Sequence, residues 1–146
     1  MPDARIRRAA AADLPVLTRL WQTAFGDPPE LIGAFYHRFP PQAAAWVVEV
    51  NGTVVTAAHL LGGRLHTADG TTLPCAYVYA VSTDPAQQGH GYASALTDRL
   101  IDRARQERKS VVIECAPAQE ATKRIASKKG FRDCGICDGL TVYRLP

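Results

Sequence analysis

Gln88-Gly89-His90-Gly91-Tyr92-Ala93 is the stretch on which the reading of this 146-residue chain turns. It lies between CAYVYAVST at residues 75–83, rich in β-branched and aromatic side chains, and a segment where Ala93, Leu96, Leu100, Ile101 and Ala104 recur at helical spacing. Two glycines one residue apart let the backbone turn its N–H groups toward a common point, and the N-terminus of the following helix adds partial positive charge. That geometry binds phosphate oxygens. A purely structural tight turn carries the same two glycines, so its surroundings have to decide. Two other phosphate motifs are excluded: G-x-x-x-x-G-K-[ST] does not occur, and the third glycine and downstream acid of a dinucleotide fingerprint are not in place.

Upstream, Leu14, Leu17, Leu20, Trp21, Ala24 and Phe25 form the buried stripe of a first helix, with Asp13 and Pro15 in its first turn and Gly26 at its end. A second helix is expected to start with Asp27 as its cap, Pro28 in its first position and Glu30 reaching back. It carries Ile32, Phe35, Tyr36 and Phe39 inward and stops at Pro40-Pro41. The period then changes to two: residues 46–50 and 53–61 read as strands joined by an Asn51-Gly52 turn, and Asp69-Gly70 marks another turn before residues 75–83. Downstream, Val111-Val112-Ile113 is an apolar strand covered on both faces. A helix over residues 118–129 ends at Gly130, and residues 131–134 and 140–144 pair as a last hairpin. No repeat or linker interrupts this order, so one domain over residues 1–146 is expected.

Composition narrows the function classes. A formal charge of +3 is scattered along the chain, which argues against a nucleic-acid partner. No apolar run approaches the ~18 residues of a membrane span, and the first residues contain no apolar signal core. A cytoplasmic protein without a membrane partner is expected. Of the four cysteines, Cys134-Gly135-Ile136-Cys137 is a single C-x-x-C without a second ligand pair, which predicts reduced cysteines flanking a hairpin turn and no metal site.

Gln88-x-x-Gly91-x-Ala93 fits [QR]-x-x-G-x-[GA], and with its flanks the stretch resembles the diphosphate-binding segment of GNAT acyltransferases. Tyr77-Val78-Tyr79-Ala80-Val81-Ser82-Thr83-Asp84-Pro85 is similar to that family's fourth strand. Ile6-Arg7-Arg8-Ala9 with Asp13-Leu14-Pro15 is similar to its first strand and helix start, and Lys128-Lys129-Gly130-Phe131 to its penultimate strand. The resemblance covers nearly the whole chain. It implies an α/β (α+β) fold: a mixed, mostly antiparallel twisted sheet flanked by helices, in which strand 110–115 splays from strand 75–83. It also implies an N-acetyltransferase with acetyl-CoA as cosubstrate, an amine acceptor on a small molecule or peptide, and no metal; a homodimer is left open. By position, the backbone of Val81, Ser82 and Thr83 would pair with the pantetheine arm. The diphosphate would lie over the amides of Gln88, Gly89, His90, Gly91, Tyr92, Ala93 and Ser94, and the thioester in the V of the splayed strands.

Amide formation from a thioester needs a neutral amine against the carbonyl, a donor for the oxyanion and a way for the thiolate to leave. The family usually serves the thiolate with a tyrosine five residues before the Gly-Phe phenylalanine; here that position is Ala126, and an asparagine that often begins the same helix is replaced by Gln119. An alkyl thiolate, with a pKa near ~8.5, leaves far more readily than an alkoxide, so positioning carries much of the rate. A general acid still contributes roughly 10²–10⁴-fold. Candidate replacements are Tyr77, Tyr79 and Glu114, the last also a candidate base. Each has a structural alternative: aromatic packing on a half-buried strand for the tyrosines, a solvent-facing strand end for the acid. Direct transfer needs no nucleophile at Cys115. His90 reads as a phosphate-side donor or an exposed turn residue, while His37, His59 and His66 show no partner in the sequence. In similar proteins the segment corresponding to residues 24–41 walls the acceptor side, which implies that Phe25, Phe35, Tyr36 and Phe39 line that wall or else pack the core. A protein that binds acyl-CoA without turning it over is the alternative that Ala126 motivates.

Overall fold

The structure, a computed structural model, describes residues 3–114, 120–137 and 140–145. The period-two stretches form β1 (Ala4–Arg8), β2 (Ala45–Val50), β3 (Thr53–His66), β4 (Thr72–Thr83), β5 (Val111–Glu114), β6 (Arg132–Cys137) and β7 (Leu140–Arg144). They are hydrogen-bonded in the order β1-β2-β3-β4-β5-β7-β6. The helices are α1 (Leu14–Phe25), α2 (Pro29–Arg38), the single turn α3 (Pro41–Ala44), α4 (Tyr92–Gln106) and α5 (Glu120–Lys128). The β4–β5 ladder is parallel, whereas β1–β2, β2–β3, β5–β7 and β6–β7 are antiparallel. This is the mixed, mostly antiparallel α/β architecture that the family resemblance implies. No helix among the described residues is long and apolar enough to cross a membrane.

The chain divides into two compact units, residues 1–59 with 80–96 and residues 60–79 with 97–146, so β3, β4 and α4 contribute to both. In the first unit Asn51 and Gly52 take left-handed backbone, φ 50° and 81°, the condition for a two-residue turn matched to strand twist. That turn sets β2 against β3 in the register Val50↔Thr53 to Ala45↔His59, with one irregularity at Val48/Glu49. Leu17, Leu20 and Trp21 of α1 and Ile32 and Tyr36 of α2 are buried, as are Val47, Val48, Val55 and Ala57. Arg7 ties the edge strand to the start of α1, bonding Asp13 at 2.8 Å and Glu49 at 3.2 Å. In the second unit β4 and β5 pair from Cys75↔Val111 to Val78↔Glu114. Thr97, Leu100, Ile101 and Ala104 of α4, Val111 and Val112, Ala126, Phe131 and Tyr143 are buried. Lys129 at the end of α5 reaches Asp98 and Asp102 of α4, each at 2.7 Å.

Several local expectations are corrected. Asp27 does not cap α2; its carboxylate accepts the indole N–H of buried Trp21 at 2.8 Å, and Pro28 occupies the cap position without a side-chain bond. A buried indole donor has to be satisfied, and that demand outweighs a cap on an exposed helix start. Leu14 and Phe25, counted in the buried stripe, are 40% and 50% exposed. Pro40-Pro41 ends α2 and then opens α3, because a proline at the first helical position loses no hydrogen bond. Strand β3 runs on to His66 instead of ending near Leu61. Cys134 and Cys137 both lie within β6: Cys137 ends it and is in register with Leu140 across the turn, whereas Cys134 lies three residues back. Any splay of the chain after Glu114, and Cys115 itself, lie outside the described residues.

The β3–β4 pair is out of step by one residue between its ends. At the turn, the Thr67 N–H donates to the Thr71 carbonyl at 2.9 Å; at the far end, the Asp84 N–H donates to Val55 at 2.8 Å. Strand β4 therefore holds one residue more than its partner. Ala80, the one strand residue without glycine's freedom at positive φ among those described, 50°, marks where the extra residue enters.

Candidate functional site

The extra residue at Ala80 precedes the segment that opens a cleft in the first unit. A cavity of about 620 Å³ is lined by residues 23–25 at the end of α1, residues 81–83 of β4, and residues 85, 87–89 and 91–94 of the turn and helix that follow. Val81, Ser82, Thr83, Gln88, Gly89, Gly91, Tyr92, Ala93 and Ser94 of the sequence-derived set are thus brought together. His90 does not line the cavity. Its Nδ1–H donates to the Gln87 carbonyl at 3.0 Å, and its ring stacks on Tyr92 at 5.5 Å, so it braces the turn from outside.

The turn is held in shape by near neighbours. Asp84 accepts the Ala86 N–H at 3.0 Å through its carboxylate and the Gln87 N–H at 2.8 Å through its carbonyl. Its own N–H donates to Val55, while the Thr83 and Thr56 hydroxyls lie 3.1 Å apart, which moors the start of the turn to β3. Gly89 and Gly91 have φ 85° and 81°, and a Cβ at either would meet nothing within 4 Å. The backbone conformation, not crowding, requires glycine there, and the space above both residues is open. Ala95 N–H bonds the Gly91 carbonyl at 3.0 Å, which starts the helical ladder and leaves the first amides of α4 aimed at the cavity end. Among the described residues no Lys or Arg lines the cavity. An anion held here is held by amides and the helix dipole.

The catalytic candidates belong to the second unit. Tyr77 and Tyr79 project from the same side of β4, half-buried, with ring centroids 5.4 Å apart. Glu114 ends β5 with its backbone in register between Val78 and Thr141, and its side chain lies outside the described residues. Ala126 is wholly buried, and its carbonyl accepts the amides of Lys129 and Phe131 at 3.1 and 2.9 Å. Among the described residues no group of three or more His, Cys, Asp or Glu side chains converges.

Residues 23–25 bring α1 to the cleft wall, so that Phe25, one of the aromatics expected to wall the acceptor side or pack the core, lines the same cavity as the glycine turn. What escaped the sequence is the partner of His59. Its Nε2 lies 2.7 Å from the Tyr36 hydroxyl inside a cluster with Trp21 and Phe35. Thr56 and His59 interrupt the otherwise apolar buried run 54–59, and polar residues in such a run must find partners. Burial pushes the Tyr36 phenol well above its ordinary range.

A sequence model described as an acetyltransferase (GNAT) domain matches residues 5–133. Among solved structures, a GCN5-related N-acetyltransferase from Kribbella flavida superposes with a TM-score of 0.70 at 20% identity, over 92% of this chain. This chain spans only 34% of that protein. A predicted acetyltransferase from Clostridium acetobutylicum, solved with acetyl-CoA, gives 0.69 at 18% identity over 94% of both chains. The ribosomal-protein-alanine N-acetyltransferase of Brucella melitensis gives 0.67 at 21% identity, over 95% of this chain and 97% of its own. At such identities the likeness to these structures carries the fold. No curated protein matches this sequence.

Proposed function

Because this chain belongs to the GNAT acetyltransferase family, we propose that it transfers the acetyl group of acetyl-CoA directly to a primary amine of a small molecule or peptide, working as one catalytic domain. The observation that carries this reading is the cleft itself, where the end of a strand and a glycine turn at a helix N-terminus share one cavity. The two ends suit the two ends of CoA. Amides around Gly89 and Gly91 with the α4 dipole fit a diphosphate. The backbone of residues 81–83 fits the amide-bearing pantetheine arm, which hydrogen-bonds as an added strand would.

The chemistry then asks little of the protein beyond placement. A thioester carbonyl held against a neutral amine gains most of its rate from proximity and from donors aimed at the oxyanion. Tyr77, Tyr79 and Glu114 remain the proposed acid and base groups of the second unit. The second reading, acyl-CoA binding without turnover, draws on Ala126: a buried alanine, with no proton to give, stands where the family usually has a tyrosine. A panel of amines and peptides, scored by free-thiol release from acetyl-CoA, separates the two. Thiol release that depends on one class of acceptor supports the transferase. Stabilisation by CoA, about 2.7 kcal/mol at ~100 times its dissociation constant, without thiol release from any acceptor supports the binding reading.

A further inference from the structure

Strand β3 outruns its partner. Strand β2 begins at Ala45, opposite His59, while β3 continues to His66 within the second unit. Along residues 60–66 it has β4 on one side and, among the described residues, no strand on the other. Hydrogen bonds fix which groups that free side presents. The Val55 carbonyl accepts from Asp84 and the Thr67 N–H donates to Thr71, at the two ends of β4, and the main chain of an extended strand points alternately to either side. Odd-numbered residues hence serve the β4 ladder, and the N–H and C=O groups of Leu60, Gly62, Arg64 and His66 turn away from it.

Side chains sort by the same alternation. Leu61 and Leu65, both half-buried, share one face with Gly63, where an added Cβ would stand 3.4 Å from Cys75 Sγ of β4. From Gly62 onward the other face is basic. Arg64 and His66 are exposed on it, and Lys109 reaches onto it, its Nζ 3.5 Å from where a Cβ of Gly62 would be. The His66 Nδ1 lies 3.1 Å from the Thr72 hydroxyl. Among the described residues no carboxylate pairs with Arg64 or Lys109. In the middle of this edge, Gly62 and Gly63 put no side chain in the way of an approaching main chain.

We propose that the free edge of β3 is a docking site for an extended acidic peptide, which adds to the sheet as a further strand. The outward N–H and C=O groups supply its main-chain bonds. The two faces set its sequence, because a paired strand alternates its side chains in step with β3. Acidic residues opposite Gly62 and Arg64 meet Lys109 and Arg64, and the apolar residues between them pack on Leu61 and Leu65. Charge also chooses between occupants. A second copy of this chain would bring one basic edge against another, and like charges across a strand pair are destabilising. An acidic strand is attracted by the same groups. The assignment uses no residue of the cleft and stands independently of the acetyltransferase reading.

The test titrates the full chain into short fluorescein-labelled peptides of alternating Glu and Val, or of alternating Lys and Val, followed by anisotropy. The Glu-Val peptide is expected to bind saturably and at least ~10-fold more tightly than the Lys-Val peptide, with the preference shrinking as salt is raised. Gly62→Pro removes an outward N–H and leaves the β4 ladder alone, and the folded variant is expected to lose at least ~10-fold in affinity. Arg64→Glu combined with Lys109→Glu keeps the backbone and is expected to reverse the preference. By NMR of labelled protein, the Gly62 and Arg64 amides are expected to move more than those of Gly63 and Leu65 when the Glu-Val peptide is added. Equal affinity for the two peptides, or no saturable binding at millimolar Glu-Val peptide, overturns the proposal. So does a folded Gly62→Pro protein that binds as the parent does, or a double charge variant that keeps the parent's preference. A parent that sediments as a dimer and becomes a monomer on Gly62→Pro assigns the edge to a second copy and overturns the proposal as well.

Discussion

The glycine turn and the His59 cluster belong to the same unit and are built in opposite ways. Residues 84–91 are shaped by bonds between near neighbours, Asp84 to Ala86 and Gln87, and Gln87 to His90. Gly89, His90 and Gly91 face solvent. The cluster joins residues 23 apart in the chain, Tyr36 to His59, and buries both. A locally determined, exposed loop can be altered with little loss of core, and its changes are felt by the ligand. A long-range buried bond is tied to packing on every side, so its changes are felt first by stability.

The largest effect is expected from emptying the cluster. Trp21→Ala removes a buried indole from between α1, α2 and β3 and is expected to cost about 3–5 kcal/mol in denaturant unfolding. A loss below ~1 kcal/mol would mean that the cluster is not core. Next, Tyr36→Phe deletes one hydroxyl and its bond to a buried imidazole nitrogen, an expected loss of about 1–3 kcal/mol. Its affinity for CoA is expected to hold within about twofold, because the turn that grips phosphate is untouched. Asp84→Ala reverses the pattern: losing the side-chain bond to Ala86 costs about 1 kcal/mol of stability, with the larger effect on CoA affinity. Calorimetry beside thermal unfolding checks that ratio.

The smallest effect is expected at Arg7–Asp13, a pair near in sequence and partly buried. The hydrogen bond from Arg7 holds the Asp13 carboxylate below its ordinary value of 3.8. A carboxylate lowered in the folded state contributes stability that is fully present above that ordinary value and is lost as pH falls through the lowered one. Asp13→Asn is therefore expected to flatten the acid side of the stability–pH profile below about pH 4 and to leave its neutral region nearly parallel to the parent. An acid limb of unchanged steepness would show that other carboxylates carry it.

What was legible in the sequence follows the same division. The turn, the Asn51-Gly52 hairpin and the helix ending at Gly26 could be read because their residues act on their neighbours: left-handed backbone calls for Gly or Asn at fixed positions. Asp27 was misread because a local rule, an acid before a proline-led helix, competes with a distant buried donor, Trp21 Nε1, that only the folded chain brings near. His59 had no visible partner for the same reason. Its Tyr36 lies on a helix whose approach to β3 is fixed by packing, which no spacing within either segment encodes. The extra residue at Ala80 was equally hidden, since an alanine in a strand gives no sign of positive φ.

Acetyl transfer by this chain depends first on CoA binding at the glycine turn. Gly91→Val keeps the fold but imposes a β-branched side chain on a residue at φ 81° and fills space that is open in the parent. Isothermal titration of CoA into parent and variant, beside their circular dichroism, is the measurement. The expected result is saturable binding by the parent and a Kd at least ~10-fold weaker in a folded Gly91→Val protein, about 1.4 kcal/mol. Equal affinity in the two folded proteins, or no binding by the parent at millimolar CoA, would contradict it.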